Sequence, residues 1–269
     1  MIGTTIQGKY RLVERVGRNL LSEVYLAQDM PGNRLVTVKM IHPELVEKQD
    51  FSQSFRRSAR LLGKVVSPYI VRLLDFGEES GYAFVVHECV LGLTLEQILM
   101  NDAPLESRRA LLLARQIVQA LADASAVGMV HGDLRPANLV VTAGQVVKIL
   151  DFGLAIALDL PHLMATGRAG LPYYLAPELP DRGLSDVRVD VYALGAMLFE
   201  MVTGQVPFPG DDATEIMQWH RRERIPMARR LNADLPDGLD KLIADCLAKE
   251  PAARYLPLTL SRDIATLLE

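Results

Sequence analysis

The chain has 269 residues, of which 49% are hydrophobic and 23% charged, and its formal net charge is −4. This composition is that of a globular protein long enough to bury one large core or two linked ones. It excludes a nucleic-acid-binding tail, since no block of like charge is long enough to form one. The two cysteines, Cys89 and Cys246, belong to no CxxC pair, which excludes a disulfide framework or a metal knot.

The most apolar stretch lies between Ala110 and Val130. It contains Arg115 and Asp123, so it predicts a buried helix and not a membrane span. The N-terminus lacks a basic region followed by an apolar one, so no signal peptide is expected. We therefore expect a cytoplasmic protein, or the cytosolic part of a longer one, without a membrane segment in this chain.

Alternating apolar residues predict three antiparallel strands between residues 9 and 41, with Gly17, Pro31 and Gly32 among the turn residues. Residues 51–64 carry apolar side chains on one face of a predicted helix. Two more strands are predicted near residues 71–76 and 82–86.

Beyond Gly92 the chain is predicted to be mainly helical. The predicted helices cover residues 105–127, 191–202, 239–248 and 258–268, and Gly128 and Gly204 end the first two. A β-rich first third and an α-rich remainder predict two lobes with a cleft between them.

Two features of the first third suit a phosphate ligand. Gly17 lies in a strand–turn–strand segment, where backbone N–H groups can approach phosphates. Lys39 ends an apolar strand and can hold the α- and β-phosphates. Each feature alone is weak, because a lone glycine is usually a turn and a lone lysine usually lies at the surface.

The strongest signal is the run His131-Gly132-Asp133-Leu134-Arg135-Pro136-Ala137-Asn138, followed by Asp151-Phe152-Gly153. Phosphoryl transfer needs a carboxylate that orients the acceptor hydroxyl and oxygen ligands for Mg²⁺. Asp133, Asn138 and Asp151 are residues of the right type. Any one alone would be typical of a turn, but their joint spacing favours this chemistry.

These motifs resemble the bacterial, eukaryotic-like Ser/Thr protein kinases, and the likeness covers residues 10–268. Ala176-Pro177-Glu178 resembles the APE motif that closes the activation segment, and Arg254 stands where the family's arginine pairs with that glutamate. Residues 190–195 resemble the start of the helix that anchors the larger lobe.

The resemblance implies an α+β, bilobal protein kinase fold. The N-lobe, residues 1–88, would be a small antiparallel β-rich lobe with one main helix. Residues 89–92 would form the hinge, and residues 93–269 a larger α-helical C-lobe.

The resemblance also implies ATP and Mg²⁺ as cofactors. Lys39 would hold the α/β-phosphates, Asp133 would be the catalytic base, Arg135 would replace the catalytic-loop lysine, and Asn138 and Asp151 would bind Mg²⁺. The other nucleotide contacts would come from Val16, Gly17, Val24, Val140 and the backbone of Glu88 and Val90. A regulatory spine would be built from Leu62, Leu73, His131 and Phe152.

Several positions depart from the family pattern. Asn19 and Ser22 replace two of three glycines, and asparagine is the non-glycine residue that best tolerates positive φ. Ser58 stands where the family has the glutamate that pairs with Lys39. Gly132 replaces the arginine that receives a phosphorylated activation loop, and Leu171 replaces a threonine that contacts the catalytic aspartate.

Two functions remain open at this point. One is an active Ser/Thr kinase, at full or reduced rate, acting on a protein substrate. The alternative is a pseudokinase, a nucleotide-regulated scaffold or binding module with a regulatory protein partner. A small-molecule kinase is disfavoured by the APE-like motif, and a dehydrogenase is disfavoured because Gly17 leads into a strand and not a helix.

Overall fold

The computed structural model describes residues 1–19, 21–47, 51–167, 169–182 and 186–269. Its contacts divide the chain into two compact units. Unit 1 comprises Met1–Lys64 and Val71–Val90, and unit 2 comprises Val65–Ile70 and Leu91–Glu269.

Unit 1 contains a six-stranded antiparallel sheet in the order β1-β2-β3-β4-β6-β5. Its elements are β1 (Thr5–Ile6), β2 (Tyr10–Arg18), β3 (Ser22–Asp29), β4 (Arg34–Ile41), α1 (Pro43–Val46), α2 (Phe51–Leu62), β5 (Leu73–Glu79) and β6 (Tyr82–Glu88). The chain leaves the sheet after β4 and returns at β5, so α2 lies in the crossover.

The core of unit 1 follows from the period of its strands. In β3, every second residue from Tyr25 is buried, which places one face of the sheet against the core. Helix α2 buries Phe51, Phe55, Ser58, Ala59 and Leu62, the apolar spacing of a helix face. Its Phe55 ring contacts Phe76 of β5 edge-on, with centroids 6.1 Å apart.

Unit 2 is mainly helical and holds a small sheet in the order β7-β8-β9. Its elements are β7 (Leu93–Thr94), α3 (Leu95–Asp102), α4 (Ser107–Ser125), β8 (Leu139–Val141), β9 (Val147–Ile149), α5 (Leu154–Leu158), α6 (Leu160–Ala165), α7 (Leu179–Arg182), α8 (Arg188–Thr203), α9 (Ala213–Arg222), α10 (Leu239–Cys246) and α11 (Pro257–Leu268).

Helix α8 is the centre of unit 2, because it is buried almost all round. Helices α4 and α10 pack against it. Gly195 allows the close approach of α10, since a Cβ there would lie 2.6 Å from Cβ of Cys246. The helix ends where Gly204 adopts φ 77°, the left-handed conformation that ends many helices.

Candidate active site

Unit 1 brings four of the predicted nucleotide contacts together. Gly17 on β2 lies opposite Val24 on β3, and Val24 lies opposite Lys39 on β4. Residues directly opposite each other share a face of the sheet. Gly17, Val24 and Lys39 therefore form one row across three strands, and Val16 precedes it with 57% of its surface exposed.

The two predicted adenine contacts lie at the end of β6 and just beyond it. The Glu88 N–H donates to the carbonyl of Arg72 at 3.0 Å. The Arg72 N–H in turn donates to Oε1 of Glu88 at 3.1 Å. Val90 is half-buried two residues further on, where unit 1 ends.

Val140, the remaining predicted nucleotide contact, belongs to unit 2. It lies on β8 and is 9% exposed. A Cβ at Gly92 would come within 2.8 Å of Cγ1 of Val140 and 2.4 Å of the Val141 carbonyl oxygen. Only a glycine permits this close approach. Gly92 therefore lets the segment that follows unit 1 lie directly against β8.

The loop before β8 is anchored by a buried carboxylate on α8. Asp190, 1% exposed, accepts hydrogen bonds from the N–H groups of His131 at 2.7 Å and Gly132 at 2.8 Å. Burial raises the pKa of Asp190, and the two backbone donors offset part of that rise. Gly132 has φ 75°, where a glycine is free of the strain that a side chain would meet.

His131 joins the loop to the end of β9. Its Nε2 lies 2.8 Å from the Leu150 carbonyl oxygen, and its Nδ1 accepts from the Asp133 N–H at 3.2 Å. These partners assign the proton to Nε2. The His131 ring also meets Phe152 edge-on with centroids 4.7 Å apart, which confirms the contact predicted between these two residues.

Asp133 and Asn138 form a hydrogen-bonded pair within this loop. Nδ2 of Asn138 donates to Oδ2 of Asp133 at 2.9 Å and to its carbonyl oxygen at 2.8 Å. Burial raises the pKa of Asp133, the Arg135 charge and the Asn138 hydrogen bond lower it in part, and the Asp151 charge raises it further. A carboxyl with a raised pKa is better matched to proton transfer.

Asp151 lies close to this pair because of the backbone. The Leu150 N–H donates to the Asn138 carbonyl at 2.9 Å, which brings the end of β9 beside the loop. Asp151 adopts φ 62°. No group of three or more His, Cys, Asp or Glu suited to a metal occurs among the described residues.

Arg135 lies near a second hydrogen-bonded pair, Tyr174 and Glu200. Its Nε is buried without a hydrogen-bond partner among the described residues. Its charge lowers the pKa of Tyr174, which burial and Glu200 raise more strongly. Tyr174 donates its hydroxyl to Oε2 of Glu200 at 2.7 Å.

The segment after Gly153 folds into α5 and α6 and buries apolar side chains, among them Leu158, Leu160 and Met164. Met164 lines the same cavity as Gly132 and Asp133. The Thr166 hydroxyl donates to the His162 carbonyl at 2.9 Å and the Leu163 carbonyl at 3.2 Å, at the end of α6.

The predicted pairing of Arg254 with the APE glutamate is confirmed. NH1 and NH2 of Arg254 lie 2.6 and 2.8 Å from the two carboxylate oxygens of Glu178. The Arg254 side chain is fully buried, and that of Glu178 is 11% exposed. This ion pair ties the end of the activation segment to the loop before α11.

Sequence reasoning missed two residues near the site. Asp190 was predicted only as the start of a helix, although an acidic residue in the first turn of a mainly apolar helix is a signal of a buried acceptor. Asn19 was interpreted through the tolerance of asparagine for positive φ, but Asn19 is not among the described residues with positive φ. Its side chain instead accepts backbone hydrogen bonds.

Comparison with known proteins shows the family to which the chain belongs. The protein kinase domain family matches residues 10–262. The serine/threonine-protein kinase PrkC of Bacillus subtilis is 35% identical over 256 residues, which cover 95% of this chain and 40% of PrkC. A probable serine/threonine-protein kinase of Lactococcus lactis, PknB, is 34% identical over 98% of this chain and 43% of its own length.

A solved structure shows the same fold. The crystal structure of the Mycobacterium tuberculosis PknI kinase domain matches with a TM-score of 0.81 and 26% identity, over 99% of both chains. The chain belongs to the protein kinase family and has the protein kinase fold, with an antiparallel β-rich part and a helical part.

The chain spans about two fifths of the length of these curated relatives. Those relatives are named Ser/Thr kinases, and the family uses ATP and a divalent metal. Within the described ranges, no helix combines the length and the apolar character needed to cross a bilayer.

Proposed function

We propose that this chain is a Ser/Thr protein kinase domain that binds Mg-ATP and transfers the γ-phosphoryl group to a protein hydroxyl. The observation that carries the proposal is the Asp133–Asn138 pair, held by Asp190 and adjoined by the end of β9. We keep residues 1–88 as the N-lobe, 89–92 as the hinge and 93–269 as the C-lobe, and we place the domain in the cytoplasm.

Each residue of the pair has a distinct role in the proposal. The Asp133 carboxylate orients the acceptor hydroxyl and takes up its proton as the new O–P bond forms and the bond to ADP breaks. Nδ2 of Asn138 holds that carboxylate, so Oδ1 is the amide atom available to Mg²⁺. Arg135 supplies positive charge beside Asp133.

The nucleotide contacts follow the row of residues in unit 1. We assign the α/β-phosphates to Lys39 and the base to Val16, Val24, Val140 and the backbone of Glu88 and Val90. Mg²⁺, held by Asn138 and Asp151, would neutralise phosphate charge. The donor set fits, because Mg²⁺ prefers carboxylate and carbonyl oxygens.

A protein substrate follows from the family, and we add a regulatory protein partner to the proposal. The pseudokinase alternative shares the nucleotide site, so only phosphoryl transfer separates the two.

The test is phosphoryl transfer from ATP to the chain itself and to a generic Ser/Thr protein substrate. We expect Asp133→Asn to lower transfer by about a hundredfold or more. The exposed Asp102→Asn, which alters a carboxylate in the same unit, should leave it unchanged. Nucleotide binding without transfer in the parent protein would establish the pseudokinase.

Magnesium is tested separately by thermal stability. A ligand at a hundredfold excess over its dissociation constant stabilises the folded state by about 2.7 kcal/mol. Asp151→Asn should lose the Mg²⁺-dependent part of the ATP-induced shift in melting temperature. An unchanged melting temperature of the parent protein with millimolar Mg-ATP would contradict the proposal.

A further inference from the structure

We propose that the Asn19 side chain competes with the phosphates of ATP for the backbone N–H groups of Leu21 and Ser22, in the turn between β2 and β3. The inference rests on the proposed function, because it takes this turn to be the phosphate-binding loop. It identifies a residue of this chain that sets its affinity for triphosphate, apart from its affinity for the base.

The hydrogen bonds of Asn19 carry the proposal. Its Oδ1 accepts from the Leu21 N–H at 2.9 Å and from the Ser22 N–H at 2.8 Å. The Ser22 hydroxyl adds a third donor at 3.3 Å. Adjacent backbone N–H groups that converge on one oxygen form the arrangement that binds phosphate anions. Here the amide oxygen of the chain takes that place.

The backbone of the turn is fixed around this contact. The Asn19 N–H donates to the Ser22 carbonyl at 2.9 Å, and the His42 N–H donates to the Leu21 carbonyl at 3.0 Å. Nε2 of His42 lies 3.2 Å from the Asn19 carbonyl oxygen. Asn19 and Leu21 are thus tied to the residue that follows β4, and these bonds, which involve no side chain of Asn19, hold the backbone beside the Leu21 and Ser22 N–H groups.

The side chain itself remains free to leave. Asn19 is exposed, whereas Ser22 is completely buried. Rotation of an exposed amide opens no cavity, so ATP displaces it at the expense of its hydrogen bonds alone. Removing the side chain should therefore strengthen triphosphate binding without unfolding the turn.

The experiment compares ATP and adenosine binding by isothermal titration calorimetry with Mg²⁺ present. Asn19→Ala removes the amide and keeps the Cβ, and Asn19→Gly introduces the residue typical of the family. We expect both to tighten ATP binding by about tenfold, as expected for two displaced hydrogen bonds, and to leave adenosine binding unchanged. Asn33→Gly is the matched control, since Asn33 has φ 46° in another turn of unit 1.

A second measurement needs no nucleotide. Amide hydrogen exchange at Leu21 and Ser22, followed by NMR, should be about tenfold faster in Asn19→Ala than in the parent protein. Unchanged exchange would overturn the proposal, because these N–H groups would then not depend on Asn19.

The nucleotide results separate the two proposals. If adenosine and ATP both bind but ATP affinity is unchanged or weaker in Asn19→Ala, the competition is refuted and nucleotide binding stands. If neither ligand binds any variant, the nucleotide-binding part of the proposed function fails, and the competition fails with it.

Discussion

Replacing Arg254 by methionine should strongly destabilise unit 2, because every N–H of its guanidinium has a partner. Besides the two bonds to Glu178, the guanidinium donates to three backbone carbonyls. Nε donates to that of Ala248 at 2.7 Å, NH1 to that of Arg188 at 3.1 Å and NH2 to that of Lys249 at 3.0 Å. The guanidinium carbon also lies 4.7 Å from the ring centroid of Tyr192.

The size of the loss follows from what Arg254→Met leaves behind. The Glu178 carboxylate would be a buried charge without its counterion, and three carbonyls would lose a donor. Removing one partner of a buried ion pair costs about 3–5 kcal/mol. Arg254→Lys keeps the charge but not the planar fork, so we expect a loss of about 1–3 kcal/mol.

The assay is urea unfolding followed by fluorescence. Trp219 is the single tryptophan of the chain and lies on α9, so its signal reports on unit 2. Arg221→Met is the matched control, since Arg221 pairs with Asp181 at 2.8 Å with 42% and 67% of the side chains exposed. That pair should contribute less than about 1 kcal/mol. An equal loss in Arg254→Met and Arg221→Met would refute the reasoning.

Three further predictions concern pH, backbone and regulation. Burial lowers the pKa of His220 to about 3, with Lys249 adding to the effect and backbone hydrogen bonds of Pro172 and Tyr173 opposing it. Below pH 6.5 the unfolded chain therefore binds more protons than the folded chain. The free energy of unfolding, measured with urea, should fall by about 2 kcal/mol between pH 7 and 5, and His220→Gln should remove this fall. Gly132→Ala should lower the free energy of unfolding in urea by about 1–2 kcal/mol, because Gly132 has φ 75°. Gly144→Ala, at a glycine without positive φ, should not lower it, and equal effects of the two substitutions would contradict this prediction. Thr166→Ala should change phosphoryl transfer by less than about twofold, because Gly132 offers no cation to a phosphate; a larger loss would mean that another cation, such as Arg135, receives it.

The strands of unit 1 were predictable where apolar alternation alone sets them. Those between residues 9 and 41 are confirmed as β2, β3 and β4. The next two extend further than predicted, to Glu79 and Glu88. The cause lies in β5, whose Glu78 accepts hydrogen bonds from Ser52 at 2.6 Å and Arg56 at 3.2 Å on α2. A hydrophobic pattern underestimates the length of such a strand, because charged residues with tertiary partners can extend it.

Helix positions were predicted better than helix ends. Residues 105–127 were predicted as one helix, and α4 covers Ser107–Ser125. Leu105 is apolar and buried, but its N–H donates to the Met201 carbonyl at 2.6 Å, so it belongs to the preceding segment. The short helices α5 and α6 were not predicted, because the burial of Leu160 and Met164 depends on the surrounding unit.

The sequence predicted Asp133 and Asn138 together because phosphoryl transfer restricts the residue types, and the structure places the two in hydrogen-bond contact. The residue that holds their loop was not predicted. Asp133 and Asn138 are five residues apart in sequence, whereas Asp190, which holds their loop, follows 52 residues after Asn138. Asp190 binds backbone N–H groups, and backbone donors are the same for every residue type. Its hydrogen bond to the N–H of residue 132 can therefore form whether that residue is arginine or glycine. The same change removes the family's cation and relieves the strain of φ 75°, so the loop that positions Asp133 can persist without the phosphate receptor. The absence of this arginine therefore bears on regulation, whereas the phosphoryl transfer that we propose depends on Asp133 and Asn138, whose loop Asp190 holds through backbone N–H groups.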